Sequence, residues 1–135
     1  MTLSNSLPLV MVPGLGNTQK LFWNQLPELK KMTTVIVVEY RNCESIAEMA
    51  DQIMSQIPNG SFAFAGFSLG SYVALHAMQS YGERVDRLAL ISASPFADNE
   101  FAITQRKLLI ERANIDFQAL LEEMGQLIVH ADGEY

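Results

Sequence analysis

Four short apolar runs punctuate the chain: Leu7–Val12, Thr34–Glu39, Phe62–Phe67 and Arg87–Ser92. Apolar residues in them are nearly continuous instead of alternating with polar ones, which suits strands covered on both faces, as in a parallel sheet. Between the runs the spacing becomes helical. A first helix is expected to begin near Asn17 or Thr18, to point Leu21, Phe22 and Leu26 inward and to run down near Pro27. The second has the clearest start: Ser45-Ile46-Ala47-Glu48 reads as a capping box, in which hydroxyl and carboxylate satisfy free amides of the first turn. Ile46, Ala50, Ile53, Met54 and Ile57 follow at helical spacing, and Pro58-Asn59-Gly60 ends the helix. A third helix should start after Ser68 and run to about Tyr81, with Gly82 as its C-terminal stop.

Strand, helix, strand, helix, strand, helix, strand requires right-handed crossovers. It predicts an α/β fold with an open, mostly parallel sheet and helices on both faces. After Ser92 the pattern changes. Ala93–Asn99 reads as a loop, and from about Glu100 to Val129 the chain reads as helical, its apolar set running from Ile103 through Leu109, Ile110, Phe117, Leu120, Leu121, Met124 and Leu127 to Ile128. Residues 1–95 thus hold about four strands, and 96–135 hold further helices. No internal repeat or low-complexity stretch is present.

The length of 135 residues suits one compact domain, and 49% apolar against 18% charged residues argues against a disordered tail or linker. The net charge is −6, and no basic run exceeds Lys30-Lys31 or Arg106-Lys107, which argues against nucleic acid as a partner. Cys43 is the one cysteine; with no clustered Cys/His spacing, a structural zinc site is not expected and a reducing compartment fits. No segment approaches the roughly 20 apolar residues that span a bilayer, and Pro8 and Pro13 interrupt the N-terminal apolar run. The expectation is a soluble, cytoplasmic protein with no cofactor, metal or membrane partner, of undetermined oligomeric state.

The chemistry concentrates at the end of the third strand, in Gly66-Phe67-Ser68-Leu69-Gly70. Gly-x-Ser-x-Gly between an apolar strand and an amphipathic helix is a nucleophile elbow, a turn so tight that the residues two before and two after the serine must lack side chains. The turn lifts the Ser68 hydroxyl above the sheet, and the helix start directs unpaired N–H groups and positive dipole at the same spot. An oxygen that turns negative during acyl transfer would be stabilised there, the backbone N–H of Leu69 being the first donor. The loop after the first strand, Val12-Pro13-Gly14-Leu15-Gly16, offers a second donor in the N–H of Leu15. The plain alternative for Ser68 is a helix-cap serine between two turn glycines; the strand before and helix after it favour the catalytic reading.

These residues resemble the α/β-hydrolases across nearly the whole chain. Leu9-Val-Met-Val-Pro-Gly-Leu15 is similar to their oxyanion-loop segment, with Trp23 and Leu26 following as they often do. Gly66-Phe-Ser-Leu-Gly-Ser-Tyr-Val-Ala-Leu75 resembles the elbow and its helix, and Glu83–Ser92 the next strand. The nearest likeness is to small esterase- or lactonase-like members with Pro-Gly where many have His-Gly, and residues after Ser94 resemble the start of their helical cap. The sequence departs from the family at Glu39-Tyr-Arg-Asn-Cys43, where many members carry a Gly-x-Gly-x-Ser turn, and at Ser71, where glycine is common.

The resemblance implies a triad in the chain order serine, acid, histidine, with acid and base on loops after later strands. Those strands are not found here, so the chain reads as the N-terminal part of such an enzyme, and Ser68 alone predicts little turnover. His76 lies two turns beyond Ser68 on one helix, about 12 Å along its axis and too far for a hydrogen bond. His130 reads as a residue of the C-terminal helix, and Asp98 as a cap for the helix after it more than as a catalytic acid. Phe22 and Trp23 read as core, Cys43 as a loop thiol, and the methionines as packing filler.

Gly14-Leu15-Gly16 followed by Glu39 imitates a dinucleotide-binding unit, but Gln19 stands where its third glycine is needed. A phosphate-binding loop lacks its Gly-Lys-Ser/Thr ending. The expected function is therefore a serine hydrolase acting through an acyl-enzyme on the ester, lactone or thioester carbonyl of a small, largely apolar acyl compound. The alternative is an inactive, truncated hydrolase fold that binds a ligand or partner through its exposed edge.

Overall fold

The computed structural model describes residues 7–128. They divide into two compact units, the boundary lying between Ala93 and Ser94. The first unit holds β1 (Leu9–Val12), α1 (Leu26–Met32), β2 (Val35–Val37), α2 (Ile46–Met54), β3 (Phe62–Phe67), α3 (Leu69–Tyr81) and β4 (Val85–Ile91). The strands form one sheet in the order β2-β1-β3-β4, with every pairing parallel. This is the α/β architecture expected from the apolar runs.

Side chains alternate between the two faces along each strand. Val10 and Val12 of β1, Phe62 and Phe64 of β3 and Val38 after β2 pack with Ala50, Ile53 and Met54 of α2 and with Val73, Ala74 and Ala77 of α3. On the other face Met11 and Ala65 are buried with Phe22, and Leu9, Val35, Val37, Phe67, Leu21, Leu26 and Leu29 pack around them half-buried. Both inner strands are thus covered on both sides. The edge strand β4 is not: Leu88 and Ile91 stay exposed despite the apolar run that contains them. Its start is tied down by Arg84, which donates to the carbonyls of Pro58 (2.7 Å) and Gly60 (3.1 Å) and lies over the Phe62 ring.

The helix boundaries correct the sequence reading in two places. The first helical stretch is two pieces, a 3-10 turn at Gln19–Phe22 begun by the Thr18 hydroxyl, and then α1. Pro27 opens α1 instead of ending the first helix, because an amide missing from the first turn costs no intrahelical bond. The third helix runs as expected from Leu69 to Tyr81 with Gly82 as its C-cap, which at φ −57 stays right-handed and leads into a 3-10 turn over Gly82–Arg84. The capping box at α2 forms as read, with Glu48 N–H donating to Ser45 Oγ (3.2 Å), while the Glu48 carboxylate reaches back to Glu44 N–H (2.8 Å).

In the second unit the single helical stretch is split into α4 (Glu100–Ile115) and α5 (Phe117–Ile128). Asp116 causes the break: its backbone is extended, and its carboxylate accepts the Ala119 N–H at 2.9 Å. An ion pair between Arg112 and Glu123 joins the two helices. Asn99 caps α4, a role expected of Asp98, which pairs with Arg106 instead. No helix among the described residues is long and apolar enough to cross a membrane.

Candidate active site

Ser68 is the entire connection between β3 and α3, so the chain must reverse direction within one residue. Its backbone sits at φ 52 and ψ −118, a conformation that costs a residue with a Cβ roughly 1–3 kcal/mol. Hydrogen bonds on both sides hold it there: Ser68 N–H donates to the Ile91 carbonyl at 2.8 Å, and the Ser68 carbonyl accepts from Ser71 N–H at 2.9 Å. The flanking glycines are required by contact. A Cβ on Gly66 would stand 2.6 Å from the Ser71 Cα, and one on Gly70 would stand 2.6 Å from the Pro13 carbonyl oxygen. Both obstacles are backbone and neither can swing away.

Strand order explains the site's location. From β1 the chain steps outward to β2, then crosses back to add β3 and β4 on the other side. The crevice at the C-terminal ends of β1 and β3 is therefore a topological switch point, where connections leave in opposite directions and open α/β sheets bind ligands. The Gly14–Gly16 loop follows β1 and Ser68 follows β3. Gly14 rests on the ring and carbonyl of Phe67, the residue before Ser68, so the two loops touch. The Leu69 amide is the first N–H of α3, in the first turn where an α-helix has no internal acceptor to offer, and the Ser68 side chain does not cap that end. Leu15 is half exposed at the tip of the opposite loop.

Beside this crevice lies a cleft of about 320 Å³ walled by residues 13–18 and 39–41; Ser68 is not part of its wall. Glu39 accepts the Gln19 N–H at 2.7 Å and pairs with Arg41, which gives the acid of the dinucleotide-like pattern a purely local use. Gln52 of α2 exchanges two hydrogen bonds with the Arg41 backbone, and Gln56 donates to the Glu39 carbonyl. That polar loop is therefore braced from α2, with Asn42 at φ 54 turning the chain. Tyr40 packs against the deep core, and its buried hydroxyl has no hydrogen-bond partner among the described residues; burial, aided by nearby Cys43, pushes the phenol pKa up.

The remaining candidates are scattered. His76 is half-buried on α3, two turns past Ser68. The Asp98 carboxyl is held below its ordinary range by its hydrogen bond from Arg106. His130 lies outside the described residues. Cys43 is a free thiol against the Arg41 carbonyl. Trp23, expected in the core, is exposed with Lys20 over its ring, whereas its neighbour Phe22 is buried. Among the described residues no cluster of His, Cys, Asp or Glu could hold a metal ion. Sequence reading marked Ser71 only as a departure from the family pattern and gave it no role, whereas the residue lies fully buried beneath the elbow. A serine three residues past the elbow serine, on the inner side of its helix, was the available signal.

The sequence profile of the alpha/beta hydrolase fold family matches residues 8–129. No curated protein matches the chain. Among solved structures, an esterase from Thermogutta terrifontis aligns at 22% identity and a TM-score of 0.71, over 89% of this chain and 49% of its own. Epoxide hydrolase A from Mycobacterium thermoresistibile aligns at 20% and 0.63, over 78% and 39%. An extracellular α/β-hydrolase from a Paenibacillus species aligns at 20% and 0.62, over 81% and 53%. The chain spans about half the length of these structures or less, and at such identities the likeness shows the fold. Strand order, elbow and profile agree: the chain belongs to the alpha/beta hydrolase fold family.

Proposed function

We propose that this chain carries the nucleophile and oxyanion hole of a serine hydrolase that cleaves an ester, lactone or thioester through an acyl-enzyme. The observation that carries this reading is the Ser68 backbone at φ 52 between two glycines, at the switch point of the sheet. Ser68 Oγ would attack the acyl carbon as its proton passes to a base. The carbonyl oxygen, now negative, would accept from the N–H groups of Leu69 and Leu15. The intermediate then collapses, the leaving alcohol or thiol takes the proton, and water later releases the acid. A cleft of about 320 Å³ beside the Leu15 loop sits at the small end of ligand pockets and supports a small acyl substrate. His76, the one histidine among the described residues, lies two turns beyond Ser68 on α3 and does not serve as the base in this reading.

A fluorophosphonate probe tests the assignment. Mass spectrometry of the labelled protein is expected to find the adduct on the Ser68 peptide and none in Ser68→Ala; an adduct that survives the substitution overturns the reading. The position of His76 favours a second reading, a catalytically silent fold that binds a ligand or partner. It predicts that short-chain aryl esters are hydrolysed no faster than by Ser68→Ala, and turnover of the 135-residue chain well above that background would exclude it.

A further inference from the structure

Ser71 is fully buried, the only polar residue so buried among the described residues. Its hydroxyl donates to the Gly66 carbonyl at 2.5 Å and accepts from Ile91 N–H at 3.2 Å. The Ile91 carbonyl also stands 3.2 Å from the hydroxyl oxygen, but the single proton goes to the nearer acceptor. The same Ile91 carbonyl receives the Ser68 N–H at 2.8 Å. One hydroxyl therefore links the end of β3, the end of β4 and the first turn of α3, with Ser68 inside the loop of bonds so formed.

We infer that Ser71 is a positioning residue that keeps the Ser68 backbone in its left-handed conformation by pinning Ile91. At its C-terminal end β4 needs such a pin. It is an edge strand, its side chains from Asp86 to Ala89 are exposed, and Ser92 beyond Ile91 is itself at φ 53. Ile91 N–H and the Gly66 carbonyl face each other across the parallel β3–β4 ladder, and the hydroxyl bonds to both, tying that last rung to the first turn of α3; without it the rung is held by the ladder alone. The end of the edge strand is then free to move outward. That movement carries the Ile91 carbonyl off the Ser68 amide and frees Ser68 to relax. The chemical meaning of the pin rests on Ser68 being the nucleophile proposed above, whereas the pin itself is a matter of hydrogen bonds.

The test is amide hydrogen exchange by NMR on the full chain, comparing wild type with Ser71→Ala, Ser71→Cys and Ser71→Thr. In Ser71→Ala the Ser68 and Ile91 amides are expected to exchange at least about tenfold faster, a factor that corresponds to loss of one buried hydrogen bond. The Val10 and Phe64 amides of the inner strands should stay within about twofold of wild type. Ser71→Thr, which keeps the hydroxyl, should restore protection at Ser68. If Ser71→Ala does not fold, Ser71→Cys is read in the same way, since a thiol is a weak donor and acceptor of similar shape. An unchanged Ser68 amide overturns the inference, as does acceleration in step with Phe64, which would mark general destabilisation. Fluorophosphonate labelling of Ser68 should slow about tenfold in Ser71→Ala and recover in Ser71→Thr. A wild-type Ser68 that takes no label defeats the nucleophile assignment alone, and the exchange rates still decide the role of Ser71.

Discussion

On one face of the sheet, residues from β1, β3, α2 and α3 interlock into a layer in which Val10, Val12, Ile53, Phe62, Phe64 and Val73 are almost wholly withdrawn from solvent. On the other, Met11, Ala65 and Phe22 are buried and their neighbours are partly wet. The asymmetry follows from what covers each face: two helices, α2 and α3, packed against each other on the deep side, a 3-10 turn and the short α1 on the shallow side. It also separates the two halves of the candidate site. The elbow belongs to α3 and so to the deep face, while the loop bearing Leu15 leads straight into the 3-10 turn of the shallow one. Well-packed layers open rarely and thin ones often, so the elbow side is the rigid reference and the loop side the adaptable partner.

The largest effect is expected where α3 crosses β1. In Gly70→Ala the new methyl meets backbone at Val12 and Pro13. The loss should be roughly 4 kcal/mol or more, in the range reserved for severe backbone or core disruption. Urea unfolding should show little folded protein, and a well-folded Gly70→Ala would contradict the close approach. Next comes the direct contrast between faces. Phe64→Ala should cost about 3–5 kcal/mol, as for truncation of a fully packed aromatic. Phe22→Ala should cost only about 2 kcal/mol, because half-exposed neighbours can close over the gap. Equal shifts in the urea midpoint would erase the distinction between deep and shallow layers. The smallest effect is at the cap of α2, where Ser45→Ala should remove about 1 kcal/mol. Since α2 belongs to the deep face, that loss should appear as a shift in the global midpoint and not as local fraying.

Much of this organisation was legible from residue patterns, and the misses have physical causes. The four strands were found because burial on both faces makes a strand continuously apolar, yet the same signal overstated β4, whose run contains Leu88 and Ile91 but lies at an edge. The Ser45 box was legible because a cap is made by residues three apart. Pro27 misled because proline opens a helix as readily as it closes one. Phe22 and Trp23 are adjacent and equally apolar, but a 3-10 turn points neighbours about 120° apart, so one is buried and the other carries Lys20. Ser71 escaped because its value depends on Ile91, twenty residues away in sequence.

Local bonds and periodicities determined the α/β class, the helix caps and the Gly-x-Ser-x-Gly turn, since each is made by residues within a few positions of one another. Tertiary structure decided the strand order β2-β1-β3-β4, and with it the meeting of the loops after β1 and β3. It also brought the end of β4 under the elbow, where the Ile91 carbonyl takes the Ser68 amide. Pairings of this kind join segments far apart in the chain, and their energy exists only once the whole sheet has closed around them.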